Sequence, residues 1–157
     1  MRGPDRDDPA QLGALIRELA DRRAIEDALI AYAHALDARD YARLRECLAA
    51  DARVKYGDSR WLEGIEQTAR FCARALDPLD ASQHRVGTVE VAIEGDRARS
   101  VSYVCAEHLR AGRRFTVGGR YLDQWTRTAD GWRIAQRELA IQWTDGDPEV
   151  LAARERA

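Results

Sequence analysis

The chain has 157 residues, enough for one domain with a sizeable core and too few for two of ordinary size. Hydrophobic residues make up 45% and charged residues 33%, and the net charge of -2 argues against a basic nucleic-acid module or a polybasic membrane binder. No apolar run approaches the ~20 residues needed to span a bilayer, and the opening MRGPDRDDPA lacks the apolar stretch of a secretory signal, so a cytoplasmic protein is expected.

Residues 1–10, with Pro4, Pro9 and closely spaced charges, read as a flexible arm. Residues 11–146 read as one domain and 147–157 as a C-terminal tail. From Gln11 to Ala38 the pattern is helical. Leu12, Leu15, Ile16 and Leu19 open an apolar stripe that Ile25, Leu29, Tyr32, Ala33 and Leu36 continue at three- and four-residue steps. Asp21 is the place where this pattern allows a break. Asp40 suits the N-cap of a second helix burying Leu44 and Leu48. Arg53–Gly57 reads as a short strand and Glu63–Leu76 as a third helix, stopped by Asp77-Pro78.

After Ser82 the period changes to two: Val89, Val91 and Ile93 alternate with Glu90, Ala92 and Glu94. Gly95-Asp96 is a turn signal before a strand at Ala98–Leu109. A third strand, Arg113–Arg127, carries Gly118-Gly119, which suits a bulge or bend. Asp130-Gly131 turns the chain into a last strand, Trp132–Trp143. Helices followed by an antiparallel meander predict an α+β fold with helices on one sheet face. Such a sheet, strongly bent, encloses a cone whose mouth or interior is the expected small-molecule site.

Cys47, Cys72 and Cys105 are widely spaced, with no CxxC or Cys/His cluster, so free thiols are expected rather than a disulfide framework or a structural zinc. HExxH, Walker A, GxGxxG and GxSxG motifs are absent, and neither a metal nor an organic cofactor is expected. The chemical candidates are polar residues inside apolar segments. Asp37 falls near the buried stripe, either aimed into the cone or capping the helix end. His84 shares a face with Val86 and Thr88, and His108 with Val104 and Ala106. Each histidine is a base or a satisfied core residue. Tyr56 is a strand filler or a phenol donor. His34 lies off the stripe, toward solvent or an interface. The tryptophans read mainly as core, with Trp143 a candidate for the pocket wall.

The segments DRRAIEDALIAYAHALDARDYARLRECLAADARVKYG, SQHRVGTVEVAIEGD and GGRYLDQWTRTADGWRIAQRELAIQW resemble the SnoaL-like families of the nuclear-transport-factor-2-like superfamily. The resemblance spans about residues 18–146 and implies a cone-shaped α+β barrel with a mostly antiparallel sheet. Within that superfamily the pattern is similar to scytalone dehydratase and bile-acid 7α-dehydratase. Asp37 then matches a first-helix aspartate, His84 the histidine at the start of the sheet, and Tyr56 a substrate-polarising tyrosine. Tyr32 matches a first-helix tyrosine of the bile-acid enzyme and His108 a second pocket histidine of scytalone dehydratase. Leu36 stands where scytalone dehydratase has another tyrosine. Leu36, Val104, Phe115 and Trp143 are expected around the pocket. The resemblance implies a cofactor-independent lyase, a dehydratase of a small hydrophobic cyclic or polycyclic hydroxy-ketone. The alternatives are a ketosteroid-isomerase-like isomerase, a polyketide cyclase, or a non-catalytic ligand-binding or assembly module. A homo-oligomer, trimer or dimer, is expected.

Overall fold

A computed structural model describes residues 8–151. Helix α1 (Pro9–Ala38) begins where Asp8 accepts a hydrogen bond from the Ala10 backbone and Pro9 supplies a preset first turn. Residues 9 and 10, expected in the arm, are therefore helical; residues 1–7 lie outside the described residues. The helix runs unbroken through Asp21. Its core stripe is Ile25, Leu29, Tyr32 and Leu36. Leu12, Leu15, Ile16 and Leu19 do not continue that stripe and stand exposed, because the sheet ends before it reaches them.

Arg39, in the left-handed conformation at φ 58°, ends α1. Asp40 caps the short α2 (Tyr41–Glu46) through the Arg43 backbone. Leu48, expected on that helix, instead opens β1 (Leu48–Tyr56), which is longer than the predicted RVKYG strand. A two-residue β2 (Leu62–Glu63) pairs back onto β1 and leads into α3 (Gly64–Leu76). Four long strands follow: β3 (Ala81–Glu94), β4 (Arg97–Arg110), β5 (Arg113–Thr128) and β6 (Gly131–Gly146). A 3-10 turn at Pro148–Val150 closes the described chain, with Val150 buried.

The sheet order is β2-β1-β6-β5-β4-β3. All neighbours are antiparallel except β1 and β6, which run parallel, so the sheet is mixed and not closed. The expected α+β cone is present: α1 lies against β3 and β6 and α3 against β1.

Bulges set which residues face inward. On β3 the pairing slips between Gly87 and Glu90, with Thr88 at φ 50°. This break joins the His84/Val86 phase to the Val89/Val91/Ile93 phase on one face. On β6, Gly118 faces Trp143 while Gly119 faces Ile141. Gln142 is thus the extra residue, and the alternation reverses there. A Cβ on Gly119 would stand 2.4 Å from the Ala140 carbonyl oxygen, so only glycine allows this close approach.

One end of the cone is sealed. Trp125 donates from Nε1 to Ser100 Oγ at 2.8 Å, and Ile25, Leu29 and Ile134 pack with it. Burying each such aliphatic side chain contributes about 1.5–3 kcal/mol.

Candidate functional site

The other end holds a cavity of about 260 Å³. Its wall is mostly apolar: Leu36 from α1, Phe71 from α3, Val104 and Ala106 from β4, Val117 from β5 and Leu139 from β6. Leu151, which follows the 3-10 turn, also lines it, so the start of the expected tail is a wall of the site; residues 152–157 lie outside the described residues. The polar side chains on the wall are His84, His108, Tyr56, Tyr121 and Cys72.

His84 and Asp37 come together as α1 ends. His84 Nδ1 lies 2.7 Å from Asp37 Oδ1, and the His84 backbone N–H donates to Oδ2 at 2.9 Å. Ser82 Oγ donates to Asp37 Oδ1 at 3.0 Å and accepts from Arg39 Nη1 at 2.8 Å. Burial pushes the Asp37 pKa up, but the hydrogen bonds from His84 and Ser82 outweigh it and hold the carboxyl below its ordinary value. An ionised Asp37 accepts only, so His84 carries a proton on Nδ1, and Nε2 is the ring nitrogen turned away from Asp37. Asp37 itself lies behind His84, outside the cavity wall, in a shallow recess with Arg39 and Ser82. It was expected to aim into the cone; the helix ends too soon for that, and His84 stands between.

His108 lies edge-on to His84, with ring centroids 5.5 Å apart. Its Nδ1 is 3.1 Å from the Phe115 carbonyl oxygen, which accepts only, so Nδ1 carries the proton and Nε2 is an acceptor. Burial, together with the neighbouring His84, pulls the His108 pKa down to about 4, so the ring is neutral near pH 7. A neutral His108 in this tautomer accepts a hydrogen bond from a ligand and does not donate one.

Tyr56 reaches the cavity, its ring stacked on Phe71 at 5.2 Å. Its hydroxyl bonds the Tyr32 hydroxyl and lies 3.2 Å from Cys72 Sγ. Tyr32 is fully buried and does not reach the cavity. Burial raises the pKa of both phenols well above the ordinary value and that of Cys72 to about 11, so all three are protonated donors.

Phe115, Val104 and Leu36 line the cavity as expected, but Trp143 does not. The Gln142 bulge turns Trp143 to the outer face, where its ring covers Gly118 and half of it is exposed. Sequence reasoning missed Cys72, Ser82 and Arg137. Arg137 is wholly buried, holds Asp123 through Nε and Nη2 at 2.8 and 2.7 Å, and lies between the rings of Tyr32 and Tyr121, 4.1 and 3.9 Å from their centroids. Burial works against its charge, but the paired Asp123 carboxylate keeps it protonated. A bulge at Ala135, where Gln124 faces Gln136 and Trp125 faces Ile134, shifts β6 so that Arg137 rather than Gln136 turns inward. No motif marks that slip.

Residues 17–138 match the SnoaL-like domain. The chain belongs to the SnoaL-like family. An uncharacterised protein of Mycobacterium tuberculosis (strain H37Rv) is 31% identical over 129 residues, covering 78% of this chain and 86% of that one. A nuclear-transport-factor-2-like protein with a cystatin-like fold from Novosphingobium aromaticivorans aligns with a TM-score of 0.75 at 24% identity, over 97% of this chain and 100% of its own. A structure from the same organism, provisionally assigned as a scytalone dehydratase, aligns with a TM-score of 0.78 at 20% identity, covering 89% and 97% of the two chains. These similarities establish the SnoaL-like fold. Among the described residues no three His, Cys, Asp or Glu side chains converge at metal-ligand spacing, and no helix is long and apolar enough to cross a membrane.

Proposed function

We infer that this SnoaL-like domain is a cofactor-independent lyase, a dehydratase of a small cyclic hydroxy-ketone. The observation that carries the reading is His84, pinned at Nδ1 by Asp37 while its ring lines a largely apolar cavity. The provisional scytalone dehydratase of the same fold supports the reaction class.

In this reading His84 Nε2 removes a proton from the carbon next to the ketone, and Asp37 stabilises the imidazolium that forms. The electron pair moves onto the ketone oxygen. With Tyr32 and the Cys72 S–H both donating to the Tyr56 oxygen, the Tyr56 O–H is left to donate to that ketone oxygen. The enolate then expels the β-hydroxyl, which leaves as water with the proton that His84 took. One C–H and one C–O bond break, a C=C bond forms, and His84 returns to neutral. His108 Nε2 accepts from a hydroxyl of the substrate and orients it.

An isomerase or cyclase would use the same proton-moving pair, returning the proton to another carbon instead of releasing water. The cavity also fits a bound hydrophobic ligand without reaction. The exposed Val101, Tyr103, Leu122 and Trp143 support a homo-oligomer, dimer or trimer, and a cytoplasmic location accompanies this reading. A panel of cyclic hydroxy-ketones incubated with the wild type and His84→Ala tests it. Enone formation by the wild type, lost in His84→Ala, is expected. Binding without turnover across the panel would leave the ligand-binding reading, and a shifted double bond without water loss would make it an isomerase.

A further inference from the structure

The first twelve residues of α1, Pro9–Ala20, extend past the domain for about 18 Å of helix. The domain first takes hold at Asp21, which accepts from Arg127 at 2.6 Å and from Trp132 Nε1 at 3.0 Å, and at Arg22, which donates to the Val91 carbonyl at 2.6 Å. Before that point Leu12, Leu15, Ile16 and Leu19 are 46%, 44%, 56% and 56% exposed. At about 100° per residue these four fall on one face, roughly 120° around the helix from the Ile25/Leu29/Tyr32/Leu36 stripe. A helical segment this short is marginal in water without a partner for its apolar face.

We propose that this arm pairs antiparallel, about a two-fold axis, with the same arm of a second copy of the chain. Three features on the arm select that occupant. The apolar pattern is symmetric about the midpoint between Leu15 and Ile16, so an antiparallel copy sets Leu12 against Leu19 and Leu15 against Ile16. Such self-complementarity is what an isologous contact requires. The same register brings the N-cap Asp8, whose carboxylate also accepts from the Ala10 backbone, opposite Arg23, which pairs with Asp27 of its own helix at 2.8 Å, and no like charges oppose one another along it. The length also fits. Pro9 of one copy lies beside Arg22 of the other, where the domain begins, so each arm is covered up to its root and no further. A parallel pairing would set Asp8 against Asp8 and Arg23 against Arg23. The pairing does not depend on the chemistry at His84.

Sedimentation equilibrium of the full-length chain tests this. The wild type should form an even-numbered assembly, and Leu12→Ser/Ile16→Ser/Leu19→Ser should have half its mass with an unchanged near-ultraviolet circular dichroism spectrum, since the arm lies outside the core. Asp8→Arg alone should weaken the association at least about tenfold, the scale of a misplaced charge at an interface. Asp8→Arg/Arg23→Asp should restore it. A monomeric wild type, an odd-numbered assembly, or a triple variant of unchanged mass would overturn the proposal. Loss of association in Asp8→Arg without rescue in the double exchange would mean that the arm docks on the partner's sheet or another protein, and would overturn it too.

Discussion

Two carboxylates are paired with cations or rings in this domain, and their surroundings differ. Asp123 holds Arg137 at the sealed end, where both side chains are wholly buried and two tyrosine rings cover the guanidinium. Asp37 holds His84 at the open end, and the imidazole borders a cavity. The first pair has no path to a ligand, so its charge serves the packing around it. The second sets an imidazole where a ligand can sit. In the proposed function, reactivity follows from the cavity beside the pair, not from burial of charge.

The largest effect should come from breaking the sealed pair. Arg137→Ala leaves Asp123 uncompensated in the core and should lower stability by about 3–5 kcal/mol in urea unfolding. Breaking the open pair should act on rate instead. His84→Ala and Asp37→Asn should slow turnover of any substrate found in the panel by about 10²–10⁴-fold, while the urea midpoint of each moves by less than that of Arg137→Ala. A His84→Ala variant that unfolds as readily as Arg137→Ala would erase the contrast and make His84 a core residue.

The pH dependence sharpens it further. His108 is held neutral in the fold down to about pH 4, whereas in the unfolded chain it takes up a proton near its ordinary value of about 6.5. Between those values only the unfolded state gains the proton, so stability is full above the unfolded value and falls as pH drops toward 4. His108→Gln should flatten that limb by about 1–3 kcal/mol, read from urea midpoints at pH 7 and pH 4.5. Asp37 acts lower. Its depressed folded value adds stability above the unfolded carboxylate pKa, and this is lost as pH falls through the folded value. Asp37→Asn should therefore flatten the acid limb below about pH 4. The smallest effect is expected outside the cavity. Trp143→Ala on the outer face should change kcat/KM less than about twofold, whereas Phe115→Ala, on the wall, should raise KM several-fold.

Much of this was legible in the chain. The Asp37/His84 pair was expected from the resemblance to the SnoaL-like dehydratases; local period only set each residue near an inward face and left its role open. The His108/Val104/Ala106 face held because β4 keeps its alternation over its length. Trp143 was misplaced and Arg137 missed because β6 carries two one-residue bulges, and each reverses the faces of everything beyond it. Leu12 to Leu19 were joined to the core stripe because helical spacing reports only that residues share a side, not whether a sheet lies there to cover it.

Local patterning by itself determined the order of the main elements, the α+β class and the inward faces of the regular strand segments, while the Asp37–His84 pair came from the family resemblance. The first three follow from interactions between residues close in sequence, where periods of 3.6 and 2 and turn-forming dipeptides act. Only the tertiary structure decided that β1 runs parallel to β6, that Asp37 stands behind His84, that the chain after β6 walls the cavity, and which nitrogen of His108 is free. Each of these depends on contacts between distant segments, and a single unpaired residue in one strand is enough to turn a side chain from the site to the surface.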